Sequence, residues 1–365
     1  MVIIMAIKYK WLAERLKEEI KKNIEIGIEK LPTENELCLK YKVSRQTARL
    51  SLSLLEKDGL IVKKHGSGSY ITGLSANSAR NIIGILVSSD QEYIYPRVLN
   101  DIYDVLSQNG FSRKVFVTEN RTFKEREILL QLLENPLRGI IVEGCKSALP
   151  NPNIDLYRKL ISKGCVVLFL YNYYPELTEC LYVKDDNIYG SSLLVRHLME
   201  QGHTLIGGIF KSDDLQGIER FKGFIESMKD FHLQILDNRI NWFDSSDLDR
   251  LREIHDTRFL KKIVQESLRS CTAVVCYNDE IAYWLIKELK LSGYQLPDDM
   301  SITSFDNTYL SNSDILTLTT LSHKPQEMGN KIAQMMVLKL KGLPAISQEI
   351  PWELIEKGST QKIIE

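Results

Sequence analysis

The sequence predicts a small α+β head joined to a two-lobed α/β body with parallel sheets. Three observations lead there. Residues 31–70, LPTENELCLKYKVSRQTARLSLSLLEKDGLIVKKHGSGSY, read as two short helices, a turn and a glycine-bearing hairpin. From Ile82 onward short apolar runs alternate with amphipathic stretches, the pattern of parallel strands covered by helices on both faces. Charge divides at the same boundary: residues 1–73 hold 14 Lys and Arg against 9 Asp and Glu, a balance of +5, and the remainder of the 365 residues balances at −6. A basic head on an acidic body fits a nucleic-acid module attached to something else.

Within the head, residues 9–23 place Leu12, Leu16 and Ile20 at helical spacing and form the first helix, with Lys8 and Lys10 at its start. Thr33 and Glu36 have the spacing of a capping box, and the helix they begin ends near Tyr41. Ser44 caps a longer helix in which Ala48, Leu52 and Leu55 turn inward. Gln46, Arg49 and Ser53 share its outer face, and Arg45 and Thr47 belong to the first turn, where a recognition helix presents side chains to base edges. Arg and Gln can each make two hydrogen bonds to one base. Asp58 and Gly59 stop the helix, and the following hairpin carries Lys63, Lys64, His65 and Gly66 at a tip suited to phosphates or the minor groove.

LPTENEL, VSRQTAR, LEKDGLI and GSGSYI, in that order and spacing, resemble the winged helix-turn-helix of GntR-type transcription regulators over residues 7–72. The resemblance implies double-stranded operator DNA as a partner. Arg45, Gln46, Thr47 and Arg49 would face the bases, Lys8 the backbone, and His65 with Gly66 the wing contact.

Residues 74–81 are small and polar and read as a linker between residues 1–73 and 82–365. In the body, IIGILVSS, KVFVTE, GIIVEG, CVVLFLY, LIGGIF, AVVCYN and SITSFD are the strand runs; residues 96–107, 123–134, 189–200, 217–229 and 280–289 are among the helices. So much chain exceeds one core, which predicts two lobes with a cleft at the carboxyl ends of the strands. No glycine-rich nucleotide loop opens a helix, so no cofactor is expected. Cys38, Cys145, Cys165, Cys180, Cys271 and Cys276 lack metal-ligand spacing and read as buried thiols without a metal. Residues 1–6 are too short for a signal peptide and no apolar run reaches about 18 residues, which predicts a cytoplasmic protein.

HLMEQGHTLIGGIF, VVCYNDEIA and LPDDMSITSFDN resemble the effector domain of LacI-type repressors, itself similar to periplasmic sugar-binding proteins, over residues 82–352. A GntR-type head on a LacI-type body is the arrangement of the arabinose-responsive repressors, which IVEGCKSALPNPNI, GIFKSDDLQGIERFKGF and CYNDEIA resemble in particular. This implies a homodimeric transcriptional repressor, not an enzyme, released from its operator by a small sugar, L-arabinose first among candidates.

The residues can also be read for their chemistry. A pentose offers a ring of hydroxyls and faintly apolar C–H faces, so its site needs carboxylates, amides and aromatic rings. Tyr93 and Tyr95 follow the first strand run, Glu143 and Lys146 the third; Gln216 and Arg220 lie in QGIERFKGF, and Asn278, Asp306 and His323 follow later runs. By resemblance, Arg220, Asn278 and Asp306 occupy sugar-binding positions, while Glu143, Lys146, Gln216 and His323 match the arabinose-responsive repressors more narrowly. Tyr171 stands where many members of the family place a ligand-binding aspartate. A tyrosine can stack on a sugar or donate one hydrogen bond, but it does not replace two acceptors. The alternative readings are a sensor of another carbohydrate, an activator, a transport binding protein and a sugar-modifying enzyme. The last would require paired cleft carboxylates or a triad around His65 or His323, and neither is identifiable in the sequence.

Overall fold

The computed structural model describes residues 2–25, 30–58, 60–64, 68–71, 81–314 and 316–363. Gly59, His65, Gly66 and residues 74–80 of the expected linker lie outside them. The chain divides into two units, Met1–Ile83 with Gly110–Lys114, and Gly84–Asn109 with Val115–Glu365.

The head runs α1 (Val2–Glu25), α2 (Glu34–Tyr41), α3 (Arg45–Lys57), β1 (Ile61–Lys64) and β2 (Gly68–Ile71). The capping box forms: Glu36 N donates to Thr33 Oγ1 at 3.3 Å and Thr33 N to Glu36 Oε2 at 2.7 Å. Leu12, Leu16, Ile20, Leu37, Ala48, Leu52, Leu55, Ile61 and Ile71 close one core, and β1 and β2 pair antiparallel with Ile61 opposite Ile71. One boundary is corrected. α1 begins at Val2 rather than near Tyr9, because helix-compatible apolar residues continue upstream, so Lys8 and Lys10 lie inside the helix and not at its start.

The rest of the chain builds two six-stranded sheets. The amino-terminal lobe takes β3 (Ile82–Val87), α4 (Tyr95–Gln108), β4 (Ser112–Val117), α5 (Thr122–Glu134), β5 (Gly139–Val142), α6 (Ile154–Ser162), β6 (Val166–Leu170) and β7 (Leu181–Asp185). The carboxyl-terminal lobe takes α7 (Asn187–Glu200), β8 (Ile206–Lys211), α8 (Leu215–Asp230), β9 (Ile240–Phe243), α9 (Ser245–Ile254), α10 (Arg258–Glu266), β10 (Ala273–Cys276), α11 (Asp279–Leu291), β11 (Ser301–Phe305) and β12 (Thr319–Ser322). The chain then returns to the first lobe with α12 (Glu327–Leu340) and β13 (Gln348–Ile350), and ends in the second with β14 (Glu353–Ile355). The sheet orders are β13-β7-β6-β5-β3-β4 and β14-β12-β11-β10-β8-β9. The lobes are therefore joined by three crossovers, after β7, after β12 and between β13 and β14.

Strand period decides which side chains go where. In β10, Ala273 and Val275 face α7 and α8 with Phe224 and Met228, while Val274 and Cys276 face α10 and α11 with Ile263 and Leu285. All seven expected strand runs are strands, but β7, β9, β12, β13 and β14 were not among them. β12 shows why: Thr319 and Thr320 are fully buried, yet they are polar because their hydroxyls bond Lys357 O and Asp279 Oδ1. The sheets are also not wholly parallel. β14 runs antiparallel to β12, since the short link from β13 brings the chain over the second lobe's edge in reverse.

Inside the first lobe, Glu125 is fully buried and accepts from Tyr157 Oη and Tyr174 Oη at 2.7 Å each and from Asn151 Nδ2 and Asn153 Nδ2 at 2.8 Å each. Asn151 and Asn153 pin the segment after β5 onto α5, and Tyr157 of α6 and Tyr174 after β6 close over the same carboxylate. Glu125→Gln turns one acceptor into a donor facing other donors, and should lower the stability of the body by about 1–3 kcal/mol, read as a lower midpoint of its thermal transition.

Candidate functional site

The head presents one polar face. Ser44 Oγ caps α3 by accepting from Thr47 N at 3.2 Å. Arg45, Gln46, Arg49 and Ser53 are exposed along α3, and Lys8 is exposed on α1. Thr47 corrects the expectation of a base contact: it is 3% exposed and its hydroxyl lies 2.9 Å from Ser44 Oγ, so the third position of the helix turns back onto its own cap. Arg45 Nε donates to Glu34 Oε2 at 3.3 Å, which leaves the outer edge of the guanidinium outward. Ser51 Oγ donates to Tyr9 O at 2.9 Å and Lys63 Nζ to Ser53 Oγ at 3.0 Å, tying α3 to α1 and to the hairpin. His65 and Gly66 are outside the described residues.

In the body a cavity of about 460 Å³ lies between the lobes, at the carboxyl ends of their strands. Of the ten residues singled out in the sequence, nine line it: Tyr93, Tyr95, Glu143, Tyr171, Gln216, Arg220, Asn278, Asp306 and His323. Lys146 does not. Its backbone is left-handed (φ 44°) and its ammonium lies 3.8 Å from Asp213 at the rim, while Lys211, at the end of β8, lines the cavity. Tyr93, Tyr171 and Asp306 also have positive φ, at 58°, 67° and 96°. Such non-glycine residues are uncommon and gather where a site over-determines them.

Arg220 organises the inner wall. It is 1% exposed; Nε donates to Asn187 Oδ1 at 3.0 Å, Nη1 to Tyr277 O at 2.5 Å and Nη2 to Asp306 Oδ1 at 3.4 Å, with Asp185 4.0 Å away. Its guanidinium carbon sits 4.1 Å from the Phe305 ring centroid. α8 can deliver it there because Gly217 approaches β8 closely: a Cβ on Gly217 would meet Lys211 O at 1.9 Å. Asp214 caps the same helix at Gly217 N (2.7 Å) and also accepts from Tyr277 Oη at 2.7 Å and Lys211 Nζ at 3.1 Å.

The carboxylates differ in state. Burial pushes Asp306 above the usual carboxylate range against the pull of Arg220, and Tyr93 Oη donates to its Oδ2 at 2.5 Å. Burial acts on Asp185 too, but the hydrogen bond from His323 and the nearby positive charges outweigh it and hold the group below its ordinary value. Asp185 Oδ1 accepts from His323 Nε2 at 2.7 Å and Oδ2 from Gln216 Nε2 at 3.1 Å. Burial raises Glu143, which accepts from Ser88 N at 2.7 Å and Tyr95 Oη at 2.8 Å. Burial likewise keeps Tyr93, Tyr95 and Tyr171 neutral. Asn278 Oδ1 caps α11 by accepting from Ile281 N at 3.0 Å, which uses one of its two lone pairs.

His323, unpaired in the sequence reading, has an acid partner after all. Nε2 donates to Asp185 at the end of β7, Nδ1 bonds Pro351 O at 3.0 Å between β13 and β14, and the ring stacks on Trp352 at 3.6 Å. One imidazole thus touches all three crossovers and the ligand cavity. No nucleophile completes the pair among its described partners. Asp185, Lys211, Asp214 and Trp352 were missed by sequence reasoning; the usable signal was a charge placed directly at a strand end, as in GIFK and YVKD. Among the described residues no cluster of His, Cys, Asp or Glu could hold a metal ion, and no helix is long and apolar enough to cross a membrane.

Comparison with known proteins bears on both parts. Residues 8–71 match the family model described as bacterial regulatory proteins, gntR family, and residues 195–360 that of a periplasmic binding protein-like domain. The chain is 33% identical to an arabinose metabolism transcriptional repressor of Geobacillus stearothermophilus over 346 residues, 92% of each chain. It is 30% identical to the protein of the same name from Halalkalibacterium halodurans, over 91% of this chain and 89% of that one. In fold it is similar to the lac repressor dimer bound to operator and the anti-inducer ONPF, with TM-score 0.67, 19% identity, and coverage of 79% and 97% of the two chains.

The His323 pair has a pH signature. Both ring nitrogens face oxygen acceptors, which favours the doubly protonated ring; burial opposes the charge, but the bond and charge of Asp185 outweigh it and raise the pKa from its ordinary value. A raised folded value stabilises fully below the unfolded one, and that stabilisation is lost as pH rises through the folded value. The stability difference between wild type and His323→Gln should therefore be larger at about pH 5.5 than at about pH 8.5 in parallel unfolding titrations.

Proposed function

Because this chain belongs to the family of transcriptional repressors that join a GntR-type DNA-binding head to a periplasmic-binding-protein-like, LacI-type body, we propose that it represses arabinose-utilisation genes and is released from operator DNA by L-arabinose. The observation that carries the ligand class is the inner wall of the cavity, where Asp185, Asp306, Arg220 and Gln216 converge beside Trp352. Two carboxylates accept hydroxyl hydrogens, the guanidinium and amide donate to hydroxyl oxygens, and the indole covers a C–H face. The names of the two relatives support arabinose within that class. Tyr171 is compatible with it, because Asp185 on the neighbouring strand supplies a carboxylate to the same cavity.

Sugar would bind with Arg220 and Asp306 as principal partners, the Asn278 amide as a donor, and Glu143 with Tyr95 forming the opposite wall. Arg45, Gln46 and Arg49 would read the operator, with Lys8 on the backbone and two copies of the chain on a near-palindromic site. The lac repressor, a dimer on its operator, supports that stoichiometry. The ligand acts only through its differential affinity for two lobe arrangements, so a working switch needs a coupling of a few kcal/mol.

Operator DNA from upstream of the chain's own and neighbouring genes should be released by L-arabinose and not by D-xylose, D-ribose or D-galactose; release by one of the others would reassign the effector. Asp306→Asn should remove the response while operator binding persists, and a variant that still releases at wild-type sugar concentration would place the sugar elsewhere. Arg45→Ala should cost roughly 1–3 kcal/mol and relax base preference at one position, whereas a uniform loss over all sequences would make Arg45 a phosphate contact.

A further inference from the structure

The mouth of the cleft, opposite the crossovers, is tied shut by side chains outside the inner wall. β4 and β9 are the edges of the two sheets farthest from β13, β7, β12 and β14, which flank the crossovers. A rotation of the lobes about the crossovers therefore opens this end most.

The turn after β4 holds Glu119 and Asn120 at φ 51° and 53°. That backbone sends the Asn120 amide across the gap: Oδ1 accepts from Lys146 N at 2.8 Å in its own lobe, and Nδ2 donates to Ser245 Oγ at 2.8 Å in the other. Beside it, Arg121 Nη2 donates to Asp249 Oδ2 on α9 at 3.2 Å, with Glu119 3.8 Å from the same guanidinium. A second tie lies next to the first. Ser147 Oγ accepts from Leu215 N at 2.9 Å, and Lys146 Nζ lies 3.8 Å from Asp213 Oδ2, which itself accepts from Ser245 N at 3.2 Å. The Glu125 cluster anchors the segment that carries Lys146 and Ser147, so these ties pull on a fixed point.

We propose that Asn120, Arg121 and Ser147 form a clasp that latches the two lobes across the cleft mouth, and that its strength sets how much effector is needed to switch the protein. The proposal rests on the sugar-release reading above. The ion pair is partly exposed, with Arg121 and Asp249 side chains 44% and 40% accessible, so it is a weak catch that can open to admit a ligand. Clasp and ligand both favour closed lobes, so weakening one lowers the apparent affinity of the other.

The test is a charge exchange. Operator release by L-arabinose is titrated for wild type, Arg121→Glu, Asp249→Arg and the double variant. Each single variant should need roughly threefold to tenfold more sugar for half-release, and the double variant should return to within about twofold of wild type. Unchanged single variants, or a double variant whose losses add, would overturn the clasp. If wild type itself ignores L-arabinose, the effector reading has failed, and the clasp is judged by hydrogen exchange in sugar-free protein. The Leu215 amide, which Arg121 does not touch, should then exchange faster in Arg121→Glu; unchanged exchange there overturns the clasp independently.

Discussion

The inner wall of the cleft is organised by the buried guanidinium of Arg220. A guanidinium taken out of water is destabilising by several kcal/mol unless it is paired and hydrogen-bonded, and Arg220 finds its partners on three separate pieces of chain: Asp185 and Asn187 where β7 passes into α7, the Tyr277 carbonyl after β10 and Asp306 after β11. Phe305 supplies an aromatic face beneath it. Each of those groups then has its own partner: Tyr93 on Asp306, His323 and Gln216 on Asp185. The polar wall is thus held by the protein's own hydrogen bonds, the kind of preorganisation that lowers the cost of binding a ligand.

The same network explains why binding can be felt outside the cavity. Asp185 and His323 line the ligand space and are also the atoms that join the crossovers. On the proposed reading, a ligand hydroxyl that drew on Asp185 would draw on the groups that join the crossovers. Cavity wall and crossovers share one carboxylate, so the proposed coupling would require no long chain of intermediaries.

Much of this was legible in the sequence, for identifiable reasons. The head's capping box, its inward Ala48, Leu52 and Leu55, and the seven apolar strand runs are local patterns, and each formed where expected. Thr47 was misread because local spacing does not reveal that its hydroxyl turns back to Ser44. β7 and β12 were missed because their buried residues are polar and find partners only in the fold: Lys184 pairs with Glu219, Asp185 with His323, and Thr320 with Asp279. Lys146 and Lys211 show the limit at the site itself. Both follow strands, and only the fold decides that Lys211 faces the cavity while Lys146 faces the rim. His323 and Asp185 lie 138 residues apart, a separation across which no spacing rule operates.

The triple crossover has a consequence for synthesis. Neither lobe is a continuous stretch of chain: β13, which completes one edge of the first sheet, pairs with β7 across a separation of 165 residues. As the polypeptide leaves the ribosome, the first sheet must wait with the β7 edge open while all of the second lobe except β14 is made. Closing so long a loop is slow, and an unpaired parallel edge is exposed to other chains meanwhile. Lys184, which later pairs with Glu219, and Asp185, which later lines the cavity, also keep that waiting strand charged during the wait.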